Sequence, residues 1–179
     1  IPALDSFERY VQRYGVPHSV YTDNHTTYRA LGEPTVAQQL AGEKPQSQFE
    51  RALAELGVTV IHAHSPQAKG RVERLFKTLQ DRLVKDLRLA GLTTIEAANQ
   101  FVETWLPRYN QRFAVPPAQA ADLHRPSPPR RDLDRSLCLK TTRVVRRDGT
   151  VAHHGQLFQI ETPIHTQTVL VEEHLDGTM

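Results

Sequence analysis

The alternation of helix, strand, helix, strand and helix through the first half of this chain constrains its fold more than any other feature. Leu4, Phe7, Tyr10, Val11 and Tyr14 recur at helical spacing over residues 3–14, and Gly15 and Pro17 end that pattern. Ser19-Val20-Tyr21-Thr22 is a short β-prone run that stops at the turn signal Asp23-Asn24. Residues 24–46 are polar, with Gly32, Pro34, Gly42 and Pro45, and read as a long loop or insertion. From Ser47 a second helix carries Phe49, Ala52, Leu53 and Leu56 as far as Gly57. The continuous run Val58-Thr59-Val60-Ile61 then predicts a strand buried on both faces. After a loop over residues 62–68, a long helix from about Lys69 to Leu89 aligns Val72, Leu75, Phe76, Leu79, Leu83 and Leu87 on one stripe. Gly91 ends it, and a further helix spans about Thr94 to Phe113, closed by Pro116-Pro117. Strands spaced by helices predict an α/β domain over residues 1–122.

Residues 123–136, which include Arg125, Pro126, Pro128, Pro129, Arg130 and Arg131, read as a Pro/Arg-rich linker. Beyond it the period changes to that of strands. Leu137-Cys138-Leu139, Arg143–Arg146, Val151-Ala152, Leu157–Ile160 and Val169–Val171 predict a small all-β domain over residues 137–179, with a hairpin turn at Asp148-Gly149. Asp176-Gly177 signals another turn.

Charge is distributed unevenly. Residues 62–88 hold seven Lys/Arg against three acids and residues 125–147 hold eight against two, whereas residues 148–179 hold five acids and no Lys or Arg. Two basic segments in a chain of net charge +2 suggest a polyanion contacted at discrete places, although ordinary solvated surfaces have the same composition. A transmembrane helix is excluded by the lack of a sufficiently long apolar run, and the N-terminus has no signal-peptide pattern. The single Cys138 cannot form an internal disulfide, which fits a reducing cytoplasm. His62-Ala63-His64 and His153-His154 lack the spacing of a zinc site and have no cysteine partners nearby, so no zinc is expected.

Two carboxylates stand where chemistry collects in such a fold. Asp23 follows a strand directly, and ligands gather at the C-terminal ends of strands in α/β sheets. Glu73 lies in the first turns of the helix after the next strand. Converging on one sheet edge, the pair would suit Mg²⁺, a hard ion that takes oxygen ligands. Two such ions about 3.5–4 Å apart clamp the attacking and leaving oxygens of a phosphodiester displacement. The residues by themselves leave plainer roles open. Asp23 can be a turn residue, and Glu73 has Lys69 and Lys77 four positions to either side, as a solvated salt-bridge residue would.

The segment Ser65-Pro66-Gln67-Ala68-Lys69-Gly70-Arg71-Val72-Glu73-Arg74 closely resembles the stretch that carries the last acidic residue of DDE transposases and retroviral integrases, the integrase-core superfamily. Thr22-Asp23-Asn24 resembles that superfamily's second acidic position. Gly15-Val16-Pro17, Phe49–Val58, Leu79–Lys85, Thr94–Asn99 and Tyr109–Phe113 are similar to the bacterial transposases grouped as the ISNCY family. The resemblance implies a partial RNase H-like core followed by a small barrel-like β-domain that helps to bind DNA. It implies that Asp23 and Glu73 are catalytic metal ligands for Mg²⁺ or Mn²⁺, two ions being expected in the intact enzyme. The implied reaction cuts a DNA end with water and joins its 3′-OH to target DNA. Gln67, Lys69 and Arg71 would lie in or beside a loop facing DNA, with Arg74 and Lys77 next on the same helix. Lys140, Arg143, Arg146 and Arg147 would be DNA contacts of the β-domain. The partners implied are transposon ends, target DNA and further copies of the same protein, in the bacterial cytoplasm at the nucleoid.

Two departures bear on this. The superfamily's first Asp lies on a strand ahead of the helix at residues 3–14, so the chain is expected to be an N-terminally truncated piece, poorly stable and inactive alone. The Asp23–Glu73 separation of 50 also exceeds the superfamily's common spacing, and the polar segment 24–46 absorbs the excess. The alternative is a non-catalytic DNA-binding or assembly remnant of a transposase.

Overall fold

The computed structural model describes residues 2–34, 36–42, 44–63, 66–162 and 166–179, with the side chains at 37, 41, 66–69 and 71 outside that description. The chain divides into two compact units, Ile1–His62 with Leu123–Met179, and Ala63–Asp122.

In the first unit, α1 (Pro2–Tyr14) buries Leu4, Phe7, Glu8 and Val11 along one face. The predicted stripe is therefore divided, because Tyr10 and Tyr14 are 37% and 51% exposed. The Tyr10 hydroxyl is 2.6 Å from His124 Nε2. Gly15 ends the helix at φ +90°, and a Cβ there would lie 2.5 Å from the carbonyl oxygen of Arg125. Val16 and Arg125 meet in an antiparallel bridge, each amide donating to the other's carbonyl at 2.8 and 2.9 Å. Strand β1 (Ser19–Thr22) follows; after the short helix α2 (Val36–Ala41) and α3 (Gln48–Glu55) comes β2 (Thr59–His62), parallel to β1 with Ser19 opposite Thr59 and Thr22 opposite His62. The segment 24–46, expected as loop, thus contains one helical turn and a half. Ser47 caps α3 through a reciprocal pair: Glu50 N–H donates to Ser47 Oγ at 3.1 Å, and Ser47 N–H donates to Glu50 Oε2 at 2.7 Å.

Expected as buried on both faces, β2 instead alternates between exposed and half-buried residues. Val60 packs on the core, whereas Ile61 is 43% exposed on the opposite face. Among the described residues β2 pairs with β1 alone. A strand is dry on both sides only where both faces of its sheet are covered.

Residues 123–136 are folded rather than linker-like. They contain α6 (Arg130–Ser136), whose Leu133, with Leu137 just beyond, is buried among Leu4, Phe7, Val11, Phe49 and Leu53. Arg125 donates from Nη2 to the carbonyls of Leu56 and Gly57 at 2.7 and 3.1 Å, placing a cation on the C-terminal end of α3. The polar face of α3 then holds the chain beyond α6. Gln48 donates to the Lys140 carbonyl at 2.8 Å and accepts from its amide at 3.0 Å, and Arg51 donates to the carbonyls of Ser136 and Cys138.

The β-region pairs β3 (Leu139–Val144) antiparallel with β6 (Thr168–Glu173), and β4 (Thr150–His153) antiparallel with β5 (Gln156–Gln159). A bridge between Val145 and Val151 joins β3 to β4 across the expected Asp148-Gly149 turn. Four strands in two separate ladders close no barrel among the described residues, in contrast to the barrel-like domain expected. The β4–β5 connection has two residues, His154 at φ +46° and Gly155 at φ +76°. Positive φ at both central positions is the turn whose twist suits a two-residue hairpin.

The second unit contains α4 (Pro66–Leu89) and α5 (Ile95–Phe113), the latter capped by Thr94, whose hydroxyl accepts from Ala97 N–H at 3.2 Å. Buried Trp105 donates from Nε1 to Asp86 at 2.6 Å and stacks on Tyr109 at 4.8 Å. Arg82 lies 4.5 Å over the Phe113 ring. Along the predicted α4 stripe, Leu79, Leu83 and Leu87 are half-buried, whereas Val72, Leu75 and Phe76 are exposed. No helix of the described residues is long and apolar enough to cross a membrane.

Candidate functional site

The C-terminal ends of the parallel strands β1 and β2 lie side by side and carry a chain of polar groups. Thr22 Oγ1 is 3.2 Å from His62 Nδ1, and His62 Nε2 is 2.9 Å from Glu50 Oε1. Glu50 Oε2 also accepts from the amides of Ser47 and Ala30, at 2.7 and 3.2 Å. Burial alone would raise the Glu50 carboxyl, but the hydrogen bonds from Ser47, His62 and Ala30 outweigh it and hold the group below the usual carboxylate range. An ionised Glu50 fixes the imidazole. Nε2 carries a proton and donates to Glu50, while Nδ1 faces the Thr22 hydroxyl.

Asp23 follows β1 on this edge, half-buried, with Oδ1 accepting from the His25 amide at 3.0 Å. That contact turns the chain locally, as an aspartate after a strand commonly does. A half-exposed carboxylate at a strand end remains a suitable hard oxygen donor for a divalent cation. His62 and Glu50 did not enter the sequence reading of the edge. Glu50 was legible as the fourth residue of Ser47-Gln48-Phe49-Glu50, a capping-box spacing, whereas its contact with His62 depends on how α3 folds back on β2.

Glu73 belongs to the second unit, exposed on the third turn of α4. The structure assigns Asp23 and Glu73 to different units. The side chains of Gln67, Lys69 and Arg71 lie outside the described residues; their backbone belongs to α4, which begins at Pro66, earlier than the sequence pattern indicated. Arg74 is exposed and donates from Nε to the Gly70 carbonyl at 3.0 Å, and Lys77 is exposed one turn on.

The four basic residues of the β-region differ sharply in setting. Lys140 is largely buried and pairs with Glu55 at 2.8 Å and Glu172 at 3.5 Å. Glu55 receives Arg51 as well, at 2.8 Å. Burial would raise the Glu55 carboxyl, yet the hydrogen bonds from Lys140 and Arg51 bring it below its ordinary value. Arg143 donates from Nε to His153 Nδ1 at 3.3 Å. Arg146 and Arg147 are exposed beside the Asp148-Gly149 turn. Sequence alone could not separate these four, because strand pairing decides which of them face acids.

The chain matches no family model. It is 39% identical over 162 residues to a putative transposase, y4bF, of Sinorhizobium fredii, a match covering 88% of this chain and 34% of that protein. This chain is similar to transposases. A second relative, the transposase for insertion sequence IS1202 of Streptococcus pneumoniae, is 32% identical over 128 residues, covering 70% of this chain and 26% of its own length. The chain therefore spans between a quarter and about a third of the length of these transposase relatives.

Proposed function

We propose that this chain is part of a DDE-type transposase that cuts and joins DNA by divalent-metal-dependent phosphoryl transfer. The observation that carries the proposal is the transposase similarity along 88% of the chain. That span includes or borders an aspartate at the end of a parallel strand and a glutamate early in the helix after the next strand. In this reading the RNase H-like core of the integrase superfamily supplies Asp23 and Glu73 as hard oxygen ligands. Bound there, Mg²⁺ or Mn²⁺ would neutralise charge developing on the scissile phosphate and its leaving oxygen. The chain's own contribution is to present the two carboxylates from separate, well-formed elements. Exposed Arg74, Lys77, Arg146 and Arg147 supply cations to DNA phosphates. Transposon ends and target DNA are the substrates in this reading, and several copies assemble on paired ends.

The test uses the complete open reading frame that encodes this sequence, assayed for Mg²⁺-dependent strand transfer between labelled transposon-end and target DNA. Asp23→Asn and Glu73→Gln each remove a metal charge with little change of shape. Loss of joining by about a hundredfold or more, with DNA binding retained, is expected of groups stabilising transition-state charge. Undiminished joining in either variant removes that residue from the metal site. Joining absent even in the unaltered protein, with DNA binding present, would instead favour the non-catalytic DNA-binding or assembly role.

A further inference from the structure

The β4–β5 turn brings together three metal-ligating side chains that the transposase reading does not use. We propose that His153, His154 and Glu173 form a binding site for one transition-metal ion of the Zn²⁺ class, which ties the β4–β5 hairpin to β6. One ligand atom from each residue lies within 4.8 Å of the other two. His153 Nε2 and His154 Nε2 stand 3.0 and 2.8 Å from the same carboxylate oxygen, Glu173 Oε2. Tetrahedral zinc with bonds of about 2.0–2.1 Å spaces its ligand atoms about 3.3 Å apart. The two nitrogen–oxygen distances lie within a few tenths of an ångström of that spacing.

The frame around these groups is suited to holding them. His153 ends β4 and is 5% exposed, and Glu173 ends β6 opposite Leu139. His154 occupies a turn position at φ +46°, where Gly or Asn is the usual choice, and among the described residues it is the one non-glycine in that region. Its strained backbone sets the imidazole 4.2 Å from that of His153, ring centre to ring centre. A cavity of about 420 Å³ opens beside the three, lined also by Phe158, His174 and Met179, and leaves room for water in a fourth coordination position. Two imidazoles with one carboxylate is a ligand set that prefers zinc, copper or nickel to magnesium. The sequence argued against zinc because the paired histidines lack the spacing of a zinc site and have no cysteine nearby; the fold brings Glu173 to them from 19 residues away.

Arg143 is the built-in competitor. Its guanidinium donates to His153 Nδ1 at 3.3 Å, which places the ring proton on Nε2, the atom the metal requires. Metal binding at Nε2 moves that proton to Nδ1, where it faces the guanidinium and displaces Arg143, so removing this arginine strengthens the site.

The test is calorimetric titration of the full 179-residue chain with ZnCl2 at neutral pH, with zinc-edge X-ray absorption on the complex. One ion per chain, bound with micromolar affinity through nitrogen and oxygen, is expected, and excess MgCl2 does not displace it. His154→Asn, which tolerates the positive φ, and Glu173→Gln each weaken binding by about tenfold or more, whereas Arg143→Gln tightens it. Far-UV circular dichroism checks that each variant is folded. Absence of saturable binding, sulfur in the zinc coordination shell, or equal affinity in His154→Asn and Glu173→Gln overturns the proposal. Because magnesium and strand transfer play no part in the readout, this site stands or falls independently of the transposase reading.

Discussion

Replacing Leu133 with alanine tests whether residues 123–136 belong to the core or merely connect two domains. Leu133 is 1% exposed and lies in the cluster formed by Leu4, Phe7, Val11, Phe49, Leu53 and Leu137. The substitution removes three carbon groups, each worth about 0.8 kcal/mol of transfer free energy, or about 2.4 kcal/mol together. The unfilled space adds to this, since α1 and α3 hold their positions through other contacts, and buried Leu→Ala changes span about 2.7–5.0 kcal/mol. A loss of about 3 kcal/mol is therefore expected. Leu123, 69% exposed in the same segment, provides the control, and Leu123→Ala should stay within about 0.5 kcal/mol of the parent. Trp105 lies in the other unit, so its fluorescence is the wrong probe. Urea unfolding followed by far-UV circular dichroism, with amide exchange over residues 2–14, reports the affected core. If Leu133→Ala and Leu123→Ala agree within about 0.5 kcal/mol, the segment is the solvated linker that its composition suggests, and the packing described above is refuted.

Three further outcomes follow from the same contacts. Gly15→Ala forces a Cβ to within 2.5 Å of the Arg125 carbonyl at φ +90°, so a loss of more than about 1 kcal/mol in thermal unfolding is expected; an unchanged midpoint would argue against the Val16–Arg125 bridge. Glu55 is held ionised by Lys140 and Arg51, and a carboxyl lowered in the folded state stabilises above its ordinary value near 4.5 and loses that contribution as pH falls through the folded value. Glu55→Gln should therefore cost up to about 1 kcal/mol at pH 7, water screening the partly exposed carboxylate, and progressively less below about pH 4.5, while a cost independent of pH would assign the effect to packing. If the chain binds DNA as proposed, Arg146→Gln and Arg147→Gln should each flatten the log–log salt slope of binding by about 0.9, whereas Lys140→Gln, already paired with Glu55 and Glu172, should lower stability and leave the slope unchanged.

Local periodicity determined most of the elements. Apolar residues at helical spacing marked α1, α3, α4 and α5 to within a few residues of their ends, and β-prone runs between turn signals marked β1 and β2 and located most of the β-region. These signals lie within one turn or one strand of the chain, so neighbouring residues suffice to fix them. The relation of distant segments was not legible. Leu133 and Leu137 stand among prolines and arginines that imitate a linker, and only their packing on α1 and α3 makes them core. Burial of Ile61 and enclosure of the β-region depend on which faces find cover, a property that the sequence of a single strand does not contain. The same holds for the basic residues: Lys140 and Arg146 look alike in one dimension, but the register of β3 against β6 brings Glu172 to Lys140 and the packing of α3 brings it Glu55, whereas Arg146 stays exposed. At the strand edge, Asp23 was visible from its place after β1. His62 reaches Glu50 because parallel pairing and the capping of α3 bring together groups 12 residues apart. Spacing along a chain fixes what each segment can become; which charges are neutralised and which apolar faces stay dry is settled by contacts between segments.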